Sequence, residues 1–145
     1  MFSEKKLKSN VRRSFQITIG LKEGYGSDVV HSIEDVKTII KDWMVAKMAG
    51  RLPTITGGIV VSGTTLYAWN SSATGIVANE EYTALFIGEI NPLYNADMSD
   101  ELAIASLRDL AETLGAKLNQ TRMYVSYRDE VRIYQNDGQA HPTGT

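Results

Sequence analysis

The 145-residue sequence has no cysteine, which excludes disulfides, thiolate nucleophiles, iron–sulfur clusters and cysteine-held zinc together. Histidine is scarce: only His31 and His141 occur, and no His-x-x-x-His pair. A metal centre would need carboxylates alone or one histidine with carboxylates, so neither a metal nor a cofactor is expected. No apolar run approaches the ~18 residues of a membrane span. No apolar segment behind the basic N-terminus ends at a small-residue cleavage site. The expected compartment is the cytoplasm, without a membrane partner. Gly-x-Gly-x-x-Gly and Gly-Lys-Ser/Thr are missing as well, so the common dinucleotide and phosphate loops are unsupported.

What is present describes one globular domain. Hydrophobic residues make up 43% and charged residues 22%, enough apolar material to exclude global disorder. Charge is unevenly spread. Lys5, Lys6, Lys8, Arg12 and Arg13 against Glu4 give the first 14 residues +4, so the remainder must carry −6 to reach the total of −2. Residues 1–13 read as a basic, flexible arm and 136–145 as a loose tail, flanking a single α+β domain over 14–135. The acidic body argues against wrapping duplex nucleic acid.

The pattern along the domain alternates between periods of two and 3.6. Phe15, Ile17, Ile19 and Leu21 share one face of a strand. Ser32 and Asp35 then form a capping box, and Val36, Ile39, Ile40, Trp43, Met44 and Met48 mark the apolar face of a helix over about 33–49. Gly50 sits at its C-cap, and Pro53 stops continuation. Two long strands follow, from Ile59 through Trp69 and from Val77 to Ile90, joined by the polar turn 70–75 as a hairpin. Ser99 caps a second helix over about 100–118, with Ala103, Leu107, Leu110, Leu114 and Leu118 as its stripe. Residues 121–127 alternate again, and a last strand runs through Val131 and Ile133. This order is a ferredoxin-like split βαβ sandwich with an extra C-terminal strand: a mostly antiparallel sheet with both helices on one face. The other face retains Tyr, Thr and Val, so it either binds a ligand or packs on a second subunit.

No catalytic constellation stands out. Glu80 and Glu81 adjoin at the start of a strand, and neighbouring strand residues point to opposite faces, so they cannot form one acid–base dyad. His31 precedes a helix cap and His141 lies in the tail, and neither suits a general base. The polar stretch Asn119-Gln120-Thr121-Arg122 is the more informative feature, since a guanidinium at a strand start can grip a phosphate in bidentate fashion. Asn91, Tyr94 and Asn95 in the loop before the second helix can stack on a base and bond its edge, or equally serve a dimer contact.

Four segments together resemble the phage-encoded Thoeris anti-defence protein of the first type: Gly20-Leu-Lys-Glu-Gly-Tyr25, Tyr67-Ala-Trp69, Gly88-Glu-Ile-Asn-Pro-Leu-Tyr-Asn95 and Gln120-Thr-Arg-Met-Tyr-Val125. The layout is also similar to a small family of ferredoxin-like bacterial proteins. The first resemblance covers about 14–135. It implies a homo-oligomeric, non-enzymatic sponge that holds a cyclic ADP-ribose isomer or a cyclic oligonucleotide inside an infected bacterium. Under it, Arg122 and Thr121 are the expected phosphate or ribose contacts. Asn91, Tyr94 and Asn95 would read base or ribose, and Lys47 and Arg51 would add charge. The alternatives are an oligomeric interaction module and a small nucleotide-processing enzyme using Glu81 or Glu89.

Overall fold

A computed structural model describes residues 1–24 and 27–137. His141 and the tail from 138 onward, and Tyr25 of the matched segments, lie outside the described residues.

Seven elements follow in chain order: β1 (Ser14–Gly20), α1 (Ile33–Ala49), β2 (Ile59–Ser71), β3 (Gly75–Glu89), α2 (Asp100–Lys117), β4 (Arg122–Tyr127) and β5 (Glu130–Gln135). The strands form one sheet in the order β2-β3-β1-β4-β5, with every neighbouring pair antiparallel. Both helices cover one face, as the apolar stripes require. Ile17 and Ile19 of β1, Phe86 of β3 and Leu107, Leu110 and Leu114 of α2 are fully buried between the layers. Each such side chain adds about 1.5–3 kcal/mol over leaving it exposed.

Local chemistry sets the helix limits. At the start of α1, Ser32 Oγ accepts from Asp35 N at 3.1 Å while Asp35 Oδ2 accepts from Ser32 N at 3.0 Å, closing the capping box. At its end Gly50 keeps an ordinary φ of −81°, and Arg51 takes the left-handed position at φ 55° instead. The apolar face of α1 is narrower than its sequence suggests. Val36, Ile40 and Trp43 are buried, whereas Met48 is exposed.

The hairpin is the other departure from a plain sandwich. β2 and β3 stay paired from Ile59↔Ile87 to Ser71↔Gly75, but β1 leaves β3 at Gly20↔Thr83. Residues 64–71 and 75–82 therefore project beyond the sheet as a two-stranded ribbon. Among the described residues neither face of the ribbon is covered. Leu66 and Ile76 are about three quarters exposed, and Tyr67 and Trp69 stack on one another at 5.5 Å between ring centroids. Among the described residues no helix is long and apolar enough to cross a membrane.

Candidate functional site

Strand alternation decides what lines the face of the sheet that the helices leave open. Since Ile17 and Ile19 point to the helices, Gln16, Thr18 and Gly20 point away. So do Thr83, Glu81, Gly63 and Thr65 on the neighbouring strands, through the register Gly20↔Thr83↔Gly63 and Glu81↔Thr65. Thr83 thus lies between two glycines in one row across three strands. Next to Gly63 a side chain would meet nothing closer than Thr83 O at 3.9 Å. The row is a shallow gap in the sheet surface. Thr83 lies at its floor, 4% exposed, its hydroxyl 2.5 Å from that of Thr65.

On the Gly20 side two polar side-chain ends fill the row. A Cβ on Gly20 would lie 2.5 Å from Gln120 Oε1 and 3.6 Å from Glu81 Oε1. Gln120 is held there by its own amide nitrogen, which donates to Lys22 O at 2.9 Å and Leu118 O at 3.1 Å. The adjacent Asn119 adopts a left-handed φ of 51°, which turns the chain out of α2 and brings Gln120 over the sheet. Its Nδ2 lies 3.4 Å from Glu23 Oε2, and Glu23 Oε1 in turn pairs with His31 Nε2 at 2.9 Å. His31 also lies 3.7 Å from Asp35. It is therefore a tie between the β1–α1 connection and the start of α1. Glu81 is different: among the described residues no hydrogen bond or ion pair takes up its carboxylate.

The opposite end of the sheet shows what a carboxylate with partners looks like. Glu89 accepts from Arg12 Nε at 2.6 Å, Arg13 N at 3.1 Å and Ser14 Oγ at 3.0 Å. Burial raises its pKa, but those hydrogen bonds and the Arg12 charge outweigh it and hold the carboxyl below its usual value. Beside it, Tyr127 donates to Asp100 at 2.5 Å and accepts from Arg13 Nε at 2.9 Å. Asp100 is lowered, first by the Tyr127 hydrogen bond and then by Arg13 and Arg128. Arg13 Nη2 lies 3.2 Å from Asp100 Oδ1 without hydrogen-bond alignment. The arm is thus tied down: Arg12 and Arg13 enter this network, and Lys8 reaches Asp97 at 2.8 Å.

The residues expected from sequence to form one site fall into three places. Thr121 and Arg122 line an open groove of about 440 Å³ between α2 and β4–β5, together with Gln120, Arg108 and Tyr134. There Arg122 Nε donates to Gln135 at 3.2 Å, and the Arg108 guanidinium lies 5.0 Å from the Tyr134 ring. Asn91 and Asn95 shape the loop at the other end of the sheet. Asn91 Oδ1 accepts from Leu93 N and Tyr94 N, while Asn95 accepts from Thr56 and donates to Thr54 O. Tyr94 is exposed beside them. On the helical layer Lys47 pairs with Asp109 at 2.6 Å, which also accepts from Trp43 Nε1. Arg51 lies exposed just past α1. Only Thr121 and Arg122 adjoin the glycine gap, through Gln120. Among the described residues no group of three or more His, Asp or Glu could hold a metal ion.

Gly20, Gly63, Thr65 and Thr83 were missed from sequence, and Glu81 was weighed as half of a dyad with Glu80 and, in the enzyme alternative, beside Glu89. The dyad argument holds, since the two point to opposite faces. Glu81 alone nevertheless reaches the gap. The only sequence signal was the glycine in each strand, and its meaning depends on register.

No family model and no curated protein matches the chain. Its fold is similar to two solved structures. A phage SAM lyase in complex with S-methyl-5'-thioadenosine superimposes with a TM-score of 0.67 over 96% of this chain and 100% of the other, at 16% identity. A phage SAM lyase in the apo state superimposes with a TM-score of 0.60 over 93% of this chain and 98% of the other, again at 16% identity. These matches support the α+β fold and do not bring out a Thoeris sponge. They also overturn the expectation that the chain is no enzyme. That expectation rested on the lack of a legible acid–base set, and the fold is shared along its length with a protein solved as a lyase.

Proposed function

We propose that the protein binds S-adenosylmethionine at the glycine gap of the open sheet face and cleaves it as a lyase, leaving S-methyl-5'-thioadenosine. The observation that carries this reading is the Glu81 carboxylate beside Gly20, which has no hydrogen bond or ion pair among the described residues. The ligand is cationic at its sulfonium and its ammonium, and a carboxylate on an acidic body complements both. The reaction also explains the missing acid–base set. Breaking the bond from sulfur to the four-carbon chain sends the electron pair to sulfur and neutralises the sulfonium, so the leaving group needs no proton. The carbon fragment closes through its own carboxylate or sheds a proton to a base, and no water is consumed. Arg122 and Thr121, at the rim beyond Gln120, suit the carboxylate and ribose of such a ligand.

A second reading keeps the groove instead. Arg122, Thr121 and Arg108 offer two guanidiniums and a hydroxyl to an anionic cyclic nucleotide, such as a cyclic ADP-ribose isomer. Glu81 beside the gap favours the cation. We also infer that copies of the chain assemble through the uncovered β2–β3 ribbon. Its exposed Leu66 and Ile76 on one face, and Trp69 on the other, supply the apolar area that such contacts bury. The proposed place of action is the cytoplasm of an infected bacterium.

The test is to incubate purified protein with S-adenosylmethionine, and separately with cyclic ADP-ribose isomers, and to identify every small molecule by mass spectrometry. S-methyl-5'-thioadenosine appearing as the substrate disappears, with no oxygen incorporated from labelled water, is the expected result. Unchanged S-adenosylmethionine beside a retained cyclic ADP-ribose isomer would overturn it in favour of the groove.

A further inference from the structure

Strand alternation leaves two whole rows of the open sheet face without a charge. Register sets Ile59, Ile87, Gln16, Ser126 and Val131 side by side, from the edge strand β2 to the edge strand β5. Val61, Leu85, Thr18, Tyr124 and Ile133 form the next row. Charge returns beyond them, at Glu89 opposite Ser14, at Glu81 opposite Thr65 and at Arg122 opposite Gln135. Ile59, Val131 and Ile133 are more than half exposed, and Val61 and Tyr124 are exposed beside them. The outer face of an antiparallel sheet that water solvates normally alternates to polar side chains. Here most of the outer side chains are apolar, and two polar ones in the middle serve each other: Gln16 Nε2 donates to Thr18 Oγ1 at 3.4 Å.

A contiguous apolar band of this kind is a surface made for burial. Its lack of charge selects the occupant. A strongly charged partner finds no opposite sign there, whereas an identical copy meets no like charge to repel it. We propose that the two uncharged rows pack against the same rows of a second copy of this chain. This rests on the self-association inferred above for the ribbon and gives it a centre on the sheet. The area fits such a contact. Five strands and the length of β1 make a face of about 24 by 23 Å, roughly 550 Å². The same face continues along the ribbon through Thr65, Tyr67 and Trp69, which adds roughly 250 Å². Together they reach the ~800 Å² per partner of a stable interface, which neither reaches alone. The row of Gly63 and Thr83 crosses this face as a recess, so copies standing on the rows to either side leave room there.

The experiment is sedimentation velocity of the full chain between about 1 and about 100 μM, the range in which modest interfaces form and dissociate. It compares wild type with Ile59→Lys and Ile133→Lys, at opposite edges of the face, and with Leu66→Lys on the ribbon's other face. All three positions are exposed, so the folded subunit tolerates the lysine. Wild type is expected to associate. Ile59→Lys and Ile133→Lys should each weaken association by about tenfold or more, because a charge would have to be buried unpaired. A second readout uses the absence of cysteine. A thiol introduced by Val131→Cys should react with a maleimide about tenfold more slowly in the associated protein than at dilution, following the fraction buried. One introduced by Val45→Cys, exposed on α1, should react at the same rate in both. Association weakened by Leu66→Lys alone, with the Val131→Cys thiol unprotected, would overturn the sheet-face interface and leave assembly through the ribbon in place. A wild type that stays monomeric at the highest concentration would overturn both.

Discussion

Glu89 and Glu81 sit on the same strand, at opposite ends of the part that β1 covers, and they differ in almost everything except chemistry. Glu89 is enclosed by Arg12, Arg13 N–H and Ser14. Glu81 lies beside Gly20 with no partner among the described residues. The first arrangement stabilises; the second leaves a charge available. A fold of this size can hold one end of its sheet shut with ion pairs and keep the other end open for a ligand. The comparison teaches that a carboxylate's role follows from what its neighbours supply.

The sharpest way to break this contrast is to exchange carboxylates for amides at both ends. Glu81→Gln should lower S-methyl-5'-thioadenosine formation by about 100-fold, the usual cost of removing one preorganised electrostatic group. Its unfolding free energy should stay within about 0.5 kcal/mol of wild type, because no contact is lost. Turnover assays beside urea melts check both statements. At the other end, Tyr127→Phe should destabilise by about 1–3 kcal/mol. It removes the donor to Asp100 and the acceptor for Arg13 at a buried site.

Glu89→Gln is expected to cost less, about 1 kcal/mol, since Arg12 is largely exposed. Its effect should depend on pH with a definite sign. The folded pKa of Glu89 lies below its ordinary value, so its contribution is complete above the unfolded pKa. It is lost as the pH falls through the folded value. The gap between wild type and Glu89→Gln in urea melts should therefore narrow between about pH 7 and pH 3. Lys8→Ala is the smallest case. Its pair with Asp97 is exposed on both sides, and the melt should move by less than about 0.5 kcal/mol. Should Lys8→Ala destabilise as much as Tyr127→Phe, the arm would carry more of the fold than its exposure indicates.

The fold was largely legible because its signals are local. Ser32 and Asp35 set the start of α1 within one turn, and the alternation from Phe15 to Leu21 gave β1 its buried face. Met48 was misplaced because periodicity says which residues share a face, not how far the sheet extends beneath it. The candidate site was legible only at its edge. The polar run ending in Arg122 drew attention for its guanidinium, yet the residue that reaches the gap is Gln120, two positions earlier. Its importance arises from the left-handed turn at Asn119 and from two carbonyls to which it donates. Gly20 and Gly63 acquire meaning only when strand register sets them on either side of Thr83. Asn91 and Asn95, which read as recognition residues, spend their side chains on the loop that carries them. Composition cannot separate these two uses of an asparagine.

The most direct test of where the ligand binds is a titration of ¹⁵N-labelled protein with S-methyl-5'-thioadenosine, followed through its glycine amides. Gly20 and Gly63 should shift with ligand while Gly88, at the closed end beside Glu89, stays still. Shifts confined to Gly88 and the 91–97 loop would contradict the account and move the site to the opposite end of the sheet.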